Sequence, residues 1–265
     1  MNPPPRLLVI AGSDSSGGAG IQADLKTAQA FGVYAQTAIT AVTVQNTLGV
    51  TGAHVMPPGI VRDQIIACLS DIGADAIKTG MLGNAEMVEM VAATLAEHAA
   101  GIPLVVDPVM VAKGGSPLLD EAAVTALKKK LLPMATLVTP NLPETEALTG
   151  VYPRSEHKLR NAAMVFKMLR VESALFKGGH GDEPVVRDVL WTEGEFIAFE
   201  APRQDTRHTH GTGCTMATAI ACGLAGKLPL KDAVARAHAY VQQAIRNAPG
   251  LGGGHGPLGH GTLSG

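Results

Sequence analysis

The chain has 265 residues, 46% of them hydrophobic and 3% aromatic, with a formal net charge of -2. A balanced charge without a basic run argues against nucleic acid as the main partner, and so few aromatics leave no evident stacking platform for bases. Three cysteines, Cys68, Cys214 and Cys222, show neither zinc-ligand spacing nor close pairing, which fits a reducing, cytoplasmic setting, and no apolar run is long enough to span a membrane or serve as a secretory signal.

Short apolar runs alternate with helical patterns along the chain. RLLVIAGS reads as a buried strand ending in a glycine turn. GIQADLKTAQAFG follows, with Ile21, Leu25, Ala28 and Phe31 spaced for one helical face. YAQTAITAVTVQNTLGVTGAHVMP reads as two strands with no helix between them, an antiparallel edge, partial lid or dimer surface. AIKTGML, PLVVDPVM, ATLVTPN and SALFKGGH are further strands that stop at Gly, Pro, Asn or Asp. The lysines 128–130 read as the solvated end of a helix, and DVLWTEGEFIAFEAP as a hairpin turning at Glu193–Gly194. The pattern predicts a mainly parallel sheet covered by helices on both faces, in one domain over residues 1–265. The glycine-rich tail from about residue 250 reads on composition as a flexible terminus.

Ligands of open α/β sheets sit beyond the carboxyl ends of the strands. Ser13, Lys78, Asp107, Asn141 and Lys177 fall at such ends. Acid plus amide suits hydrated magnesium and lysine suits phosphate, so the set points to phosphoryl transfer. Each member also has a plain structural reading. Asp107 can cap a loop, Lys177 can be solvated, and Asn141 and Glu144 have the spacing of a capping box around Pro143. In HTHGTGCTMATAIACGL, residues Gly211, Thr212 and Gly213 make a tight turn into an apolar helix whose N–H groups would hold an anion. Cys214 stands at its mouth, where the helix N-terminus is expected to lower the thiol pKa. GSDSSGGAGIQAD is glycine-rich but has neither the dinucleotide nor the P-loop pattern. Gln22 and Asp24 then read either as a solvated helix face or as substrate contacts.

Taken in order, IAGSDSSGGAGIQADLKT, AVTVQNTLGV, KTGML, DPVMVAKGG, TPNLPE, KGGH and HGTGCT resemble the hydroxymethylpyrimidine/phosphomethylpyrimidine kinases of thiamin biosynthesis, members of the ribokinase-like superfamily. The resemblance runs from about Leu7 to the GHGP near His255. It implies a three-layer α/β/α fold with a mainly parallel central sheet and a small antiparallel edge, a homodimer, and an enzyme that uses ATP and magnesium. It implies two successive phosphorylations, of 4-amino-5-hydroxymethyl-2-methylpyrimidine and then of its monophosphate. Carried over by position, Gln45 reads the pyrimidine edge, Asp24 is a second polar substrate contact, Gly12 presents its N–H to the ring and Met81 packs on it. Asp107 and Glu144 resemble the metal carboxylates, with Asn141, Thr212 and Lys177 as nucleotide and phosphate contacts. Gly211, Gly213 and the Cys214 N–H resemble the anion hole. The Cys214 side chain stands where many sugar kinases of the superfamily have a catalytic aspartate, which gives it the role of general base. Gly115 and the richness of the tail in glycine depart from the family pattern. A pyridoxal kinase of the same superfamily is the nearest alternative, and a pyrimidine-binding protein without turnover is the alternative of a different class.

Overall fold

A computed structural model describes residues 3–110, 119–179 and 183–261. The departure at Gly115 and the last residue of the KGGH motif lie outside them. Nine strands form one sheet among these residues: β1 (Arg6–Ser13), β2 (Tyr34–Asn46), β3 (Gly49–Val55), β4 (Ala76–Thr79), β5 (Leu104–Val106), β6 (Leu137–Val138), β7 (Ser173–Phe176), β8 (Val185–Thr192) and β9 (Glu195–Pro202). Their spatial order is β3-β2-β1-β4-β5-β6-β7-β8-β9. The six from β2 to β7 run parallel, and β3 at one edge and β8–β9 at the other are antiparallel. Both expected exceptions to the βα rhythm are therefore the two sheet edges. The second is a tight hairpin because Glu193 and Gly194 both take positive φ, 51° and 84°, the backbone of a type I′ turn.

The helices are α1 (Gly20–Ala30), α2 (Pro58–Asp71), α3 (Ala85–His98), α4 (Glu121–Ala126), α5 (Leu142–Thr149), α6 (Glu156–Met168), α7 (Thr212–Ala225) and α8 (Leu230–Arg246). A period of two on the central strands sorts side chains onto two cores. On β1, Leu8 and Ile10 join one core with Val61 of α2, Val88 of α3 and Phe166 of α6. Leu7, Val9 and Ala11 join the other, with Ile21 of α1, Ala217 of α7 and Val241 of α8. The three-layer fold follows from that sorting. Helix α7 is buried along most of its length, which is why it reads as apolar all round rather than as a stripe.

The chain direction switches at β1, which has β2 on one side and β4 on the other. The crevice beyond the carboxyl ends at such a switch point is where ligands bind in open sheets, and the amino end of α7 lies over it. The tail does not behave as its composition suggests. Leu258 is buried, His255 N–H bonds Thr47 O at 2.9 Å, and Gly259 N–H bonds Ala244 O at 2.9 Å. Its glycines allow close backbone docking, so residues 250–261 pack as a strap beside the β2–β3 turn and α8.

Candidate active site

The amino end of α7 is built by a left-handed turn and one close approach. Gly211 caps the helix at φ 83°, and a Cβ there would lie 1.9 Å from Gly18 O. Only glycine permits both the left-handed backbone and the contact. The Thr215 N–H closes the first helical bond, to Gly211 O at 2.9 Å. The N–H groups of Gly213 and Cys214 lie within the first turn, ahead of the helix's own ladder, and so face its open end. Thr212 is already engaged: its hydroxyl donates to Thr209 O at 2.7 Å, so it has no proton left for a phosphate.

Beneath this turn, Lys177 Nζ donates to Asp107 Oδ1 at 2.9 Å and stands 4.0 Å from Glu144 Oε2. Thr139 Oγ1 also donates to Asp107 Oδ1, at 3.1 Å. A Cβ on Gly213 would sit 3.2 Å from Lys177 Nζ and 3.8 Å from Asp107 Oδ2, so helix mouth and charged cluster share one space. Asn141 and Glu144 form a full capping box, the Asn141 oxygen accepting Glu144 N–H and Glu144 Oε2 accepting Asn141 N–H, each at 2.8 Å. The cap holds Glu144 against the cluster, so the capping and rim readings describe one arrangement. It leaves the Asn141 NH2 as its available donor. Burial pushes Glu144 up to about 7, with the Asp107 charge reinforcing it and Lys177 opposing. Burial would discharge Lys177, but Asp107 and Glu144 outweigh it and hold its pKa above the ordinary lysine value.

No cluster of three or more His, Cys, Asp or Glu able to hold a metal unaided occurs among the described residues. Two adjacent carboxylates are nevertheless what a magnesium ion that keeps its waters and substrate phosphates takes from a protein. Asp107 and Glu144 fit that role.

At the switch point itself, a Cβ on Gly12 would lie 2.4 Å from Met81 Cε and 3.6 Å from Ala41 O. Gly12 and Met81 thus meet face to face. Gln45 sits at a register shift between β2 and β3, where a bulge re-aims a side chain. Its backbone is tied to Ser15 Oγ through N–H at 2.8 Å and O at 2.7 Å.

Four expectations fail, those for Asp24, Lys78 and Gln22 on geometry and that for Cys214 on electrostatics. Asp24 is fully buried, both its oxygens taken by Lys78 Nζ at 3.0 and 2.9 Å and one also by Thr218 Oγ1 at 2.6 Å. It offers nothing to a substrate, and Lys78, equally buried, is its counter-ion rather than a phosphate contact. Burial would discharge Lys78, but Asp24 outweighs it and keeps the ammonium charged. Gln22 is structural as well, accepting Asp14 N–H at 2.9 Å and donating to Ser13 Oγ at 2.8 Å. The fourth failure is the Cys214 thiol, which burial raises to about 11 where the helix terminus alone would lower it. Burial dominates, Asp24 and Asp107 add to it, and Lys78 and the Gly20 N–H only partly oppose it. The helix terminus was legible in sequence, but the desolvation was not.

A pair so deeply buried is costly to break. Lys78→Met strands the Asp24 charge and is expected to destabilise the protein by about 3–5 kcal/mol, whereas Lys78→Met with Asp24→Leu recovers much of the loss. Urea unfolding of both variants measures this; equal midpoints for the single and double variants would show that the pairing is not what matters.

An open helix mouth with a lysine and two carboxylates beneath it, and Gly12, Met81 and Gln45 at the same sheet edge, is an arrangement suited to a phosphotransferase. The sequence matches the phosphomethylpyrimidine kinase family over residues 14–259, and the chain belongs to that family. It is 46% identical to the hydroxymethylpyrimidine/phosphomethylpyrimidine kinase of Haemophilus influenzae, over 98% of this chain and 97% of that protein. It is 51% identical over 96% of its length to the thiamine biosynthesis bifunctional protein ThiED of Geobacter sulfurreducens, and spans 52% of that longer protein. Among solved structures, the Staphylococcus aureus pyridoxal kinase in complex with AMP-PCP and pyridoxal superposes with a TM-score of 0.90 at 34% identity, covering 99% of this chain and 96% of that one. The Clostridium difficile phosphomethylpyrimidine kinase gives 0.80 at 38% identity, covering 91% of this chain and 99% of that one. The fold is thus the ribokinase-like fold of these vitamin kinases.

Proposed function

We propose that the chain transfers phosphate from ATP to 4-amino-5-hydroxymethyl-2-methylpyrimidine, and then to the resulting monophosphate, in thiamine biosynthesis. The observation that carries this is the shared space at Gly213, where the amino end of α7 meets Lys177 and Asp107. The pyrimidine lies on Gly12 and Met81 with its polar edge toward Gln45, and its hydroxymethyl group points at Cys214. The Gly213 and Cys214 N–H groups receive the oxygens of the phosphoryl group in transit, where fixed donors are most effective. Lys177 screens its charge, and the Asn141 NH2 contacts the nucleotide. Asp107 and Glu144 would hold magnesium, which when bound would neutralise phosphate charge.

A pyridoxal kinase activity is the second reading, favoured by the higher TM-score with the pyridoxal kinase than with the pyrimidine kinase. Identity points the other way, at 46% with the Haemophilus pyrimidine kinase against 34% with the pyridoxal kinase. A coupled ADP-release assay with the pyrimidine, its monophosphate and pyridoxal as separate acceptors decides. Turnover of both pyrimidines above pyridoxal is expected, and turnover of pyridoxal alone would replace this reading with the second. A binding protein without catalysis would turn over none of the three.

The reading extends to assembly and setting. Val42, Val44, Leu48 and Val55 expose apolar side chains on β2, β3 and their turn, a surface suited to a homodimer. The free cysteines suit the cytoplasm, and no helix among the described residues is long and apolar enough to cross a membrane.

The magnesium role has its own test. With its pKa raised to about 7, a substantial fraction of Glu144 is protonated at neutral pH, and a cation arriving beside it expels that proton. Titration of magnesium–AMP-PCP at pH 7 in two buffers of different ionisation enthalpy is expected to reveal proton release, and Glu144→Gln is expected to lose it. Unchanged release in the variant would return Glu144 to capping alone.

A further inference from the structure

Gln45 belongs to a chain of hydrogen bonds that phosphoryl transfer does not use. Asp14 and His210 are both buried. Asp14 Oδ2 meets His210 Nε2 at 2.8 Å and accepts Ala19 N–H at 2.8 Å, and Oδ1 accepts Ser16 N–H and Oγ–H at 2.8 and 2.7 Å. Burial pushes this carboxyl up, but the bonds from His210 and Ser16 outweigh it and hold it at about 2. At neutral pH it is an acceptor only, so His210 Nε2 must bear a hydrogen.

Gln45 Nε2 lies 3.2 Å from that same His210 Nε2, and Gln45 Oε1 lies 3.2 Å from Thr43 Oγ1. In this orientation two N–H groups face each other. Thr43 has also already spent its one proton on Ser13 O, at 2.8 Å. The two ends of an amide are told apart by their partners, and turning this one by 180° satisfies both. Its oxygen then accepts from His210, which shares its hydrogen with Asp14, and its NH2 donates to Thr43. One lone pair and one hydrogen remain, a donor beside an acceptor in an order that His210 and Thr43 dictate.

The ring itself has little freedom. A Cβ on Gly18 would lie 2.5 Å from His210 Cδ2, and the backbone that carries the ring is fixed by the bond from the His210 main-chain N–H to Gly256 O at 3.1 Å. We infer that His210, anchored by Asp14, is a positioning residue that sets the donor–acceptor order of Gln45 and thereby the choice of heterocycle. The inference rests on Gln45 being the ring contact proposed above.

The test is a double-mutant cycle on steady-state kinetics with the pyrimidine, pyridoxal and ATP. His210→Phe is expected to raise the pyrimidine KM about tenfold, roughly the value of one buried hydrogen bond. The pyrimidine-to-pyridoxal preference is expected to fall with it, while kcat and the ATP KM stay near wild type. His210→Gln keeps an N–H near the same place and is expected to restore the pyrimidine KM. In a Gln45→Ala background, His210→Phe is expected to add almost nothing, because the two residues act as one unit. Full additivity would overturn the inference, as would parallel losses in kcat and ATP binding that His210→Gln does not repair. If Gln45→Ala alone leaves the pyrimidine KM unchanged, the ring-contact reading fails first, a result distinct from additivity. Should His210→Phe not fold, Thr43→Val removes the acceptor at the other end of the amide. The same pyrimidine-specific rise supports the inference there, and an unchanged KM sinks it.

Discussion

Gly213→Ala is expected to lower turnover on the order of a hundredfold to a thousandfold, the range set by loss of one oxyanion-hole donor, while the melting temperature holds or rises slightly. Gly213 is the second residue of α7 and does not take positive φ. Alanine is the better helix former there by about 1 kcal/mol in a helix interior, and by less at this end. The damage comes from space. The new Cβ stands 3.2 Å from Lys177 Nζ and 3.8 Å from Asp107 Oδ2, in the space that the proposed reaction gives to a phosphoryl oxygen. Gly211→Ala serves as the contrast. Its Cβ strikes Gly18 O and its backbone must keep φ 83°, so stability and turnover fall together. Thermal melts beside kcat for the two variants separate occlusion from unfolding. Near-wild-type turnover in Gly213→Ala would place the transferring group elsewhere.

That contrast also marks what a sequence can disclose. The rim residues Asp107, Asn141 and Lys177 were legible because strands of a parallel sheet end at one edge, and short apolar runs reveal those ends. The capping box was legible because Asn141 and Glu144 are three residues apart. Asp24 was misread because its partners, Lys78 and Thr218, are 54 and 194 positions away, and nothing local distinguishes a polar residue on a solvated helix face from one beneath it. The Asp14–His210 contact spans 196 positions and was missed for the same reason, although the Asp-Ser-Ser turn and the histidine before Gly211 were both visible. The tail failed differently: glycine content signals backbone freedom, and close docking uses that freedom as readily as disorder does.

Cys214→Ala is expected to damage the first phosphorylation far more than the second, on the order of the hundredfold that a general base contributes. The first acceptor is a neutral alcohol whose proton must leave as the new bond forms. The second is a phosphate monoester, already largely ionised near pH 7, which needs placement and screening but little proton removal. Alanine keeps the backbone N–H at the anion site, so only the thiol is lost. The structure adds a pH dependence that the helix terminus alone would not suggest. With the thiol raised to about 11 by burial, the thiolate is a minor form at pH 7. Raising the pH through that range increases the deprotonated fraction. The first step in the wild-type enzyme is therefore expected to accelerate about tenfold per unit between roughly pH 7 and 9. In Cys214→Ala that slope should flatten, while the second step is nearly level over the same range in both proteins. Each step is measured from its own acceptor, so that the product of one does not limit the other. A packing role for Cys214 gives similar losses in both steps and leaves the slope in place. A covalent phosphocysteine makes both steps nearly vanish. A first step that is level with pH and unharmed by the substitution would leave Cys214 with its backbone N–H as its sole contribution to the reaction.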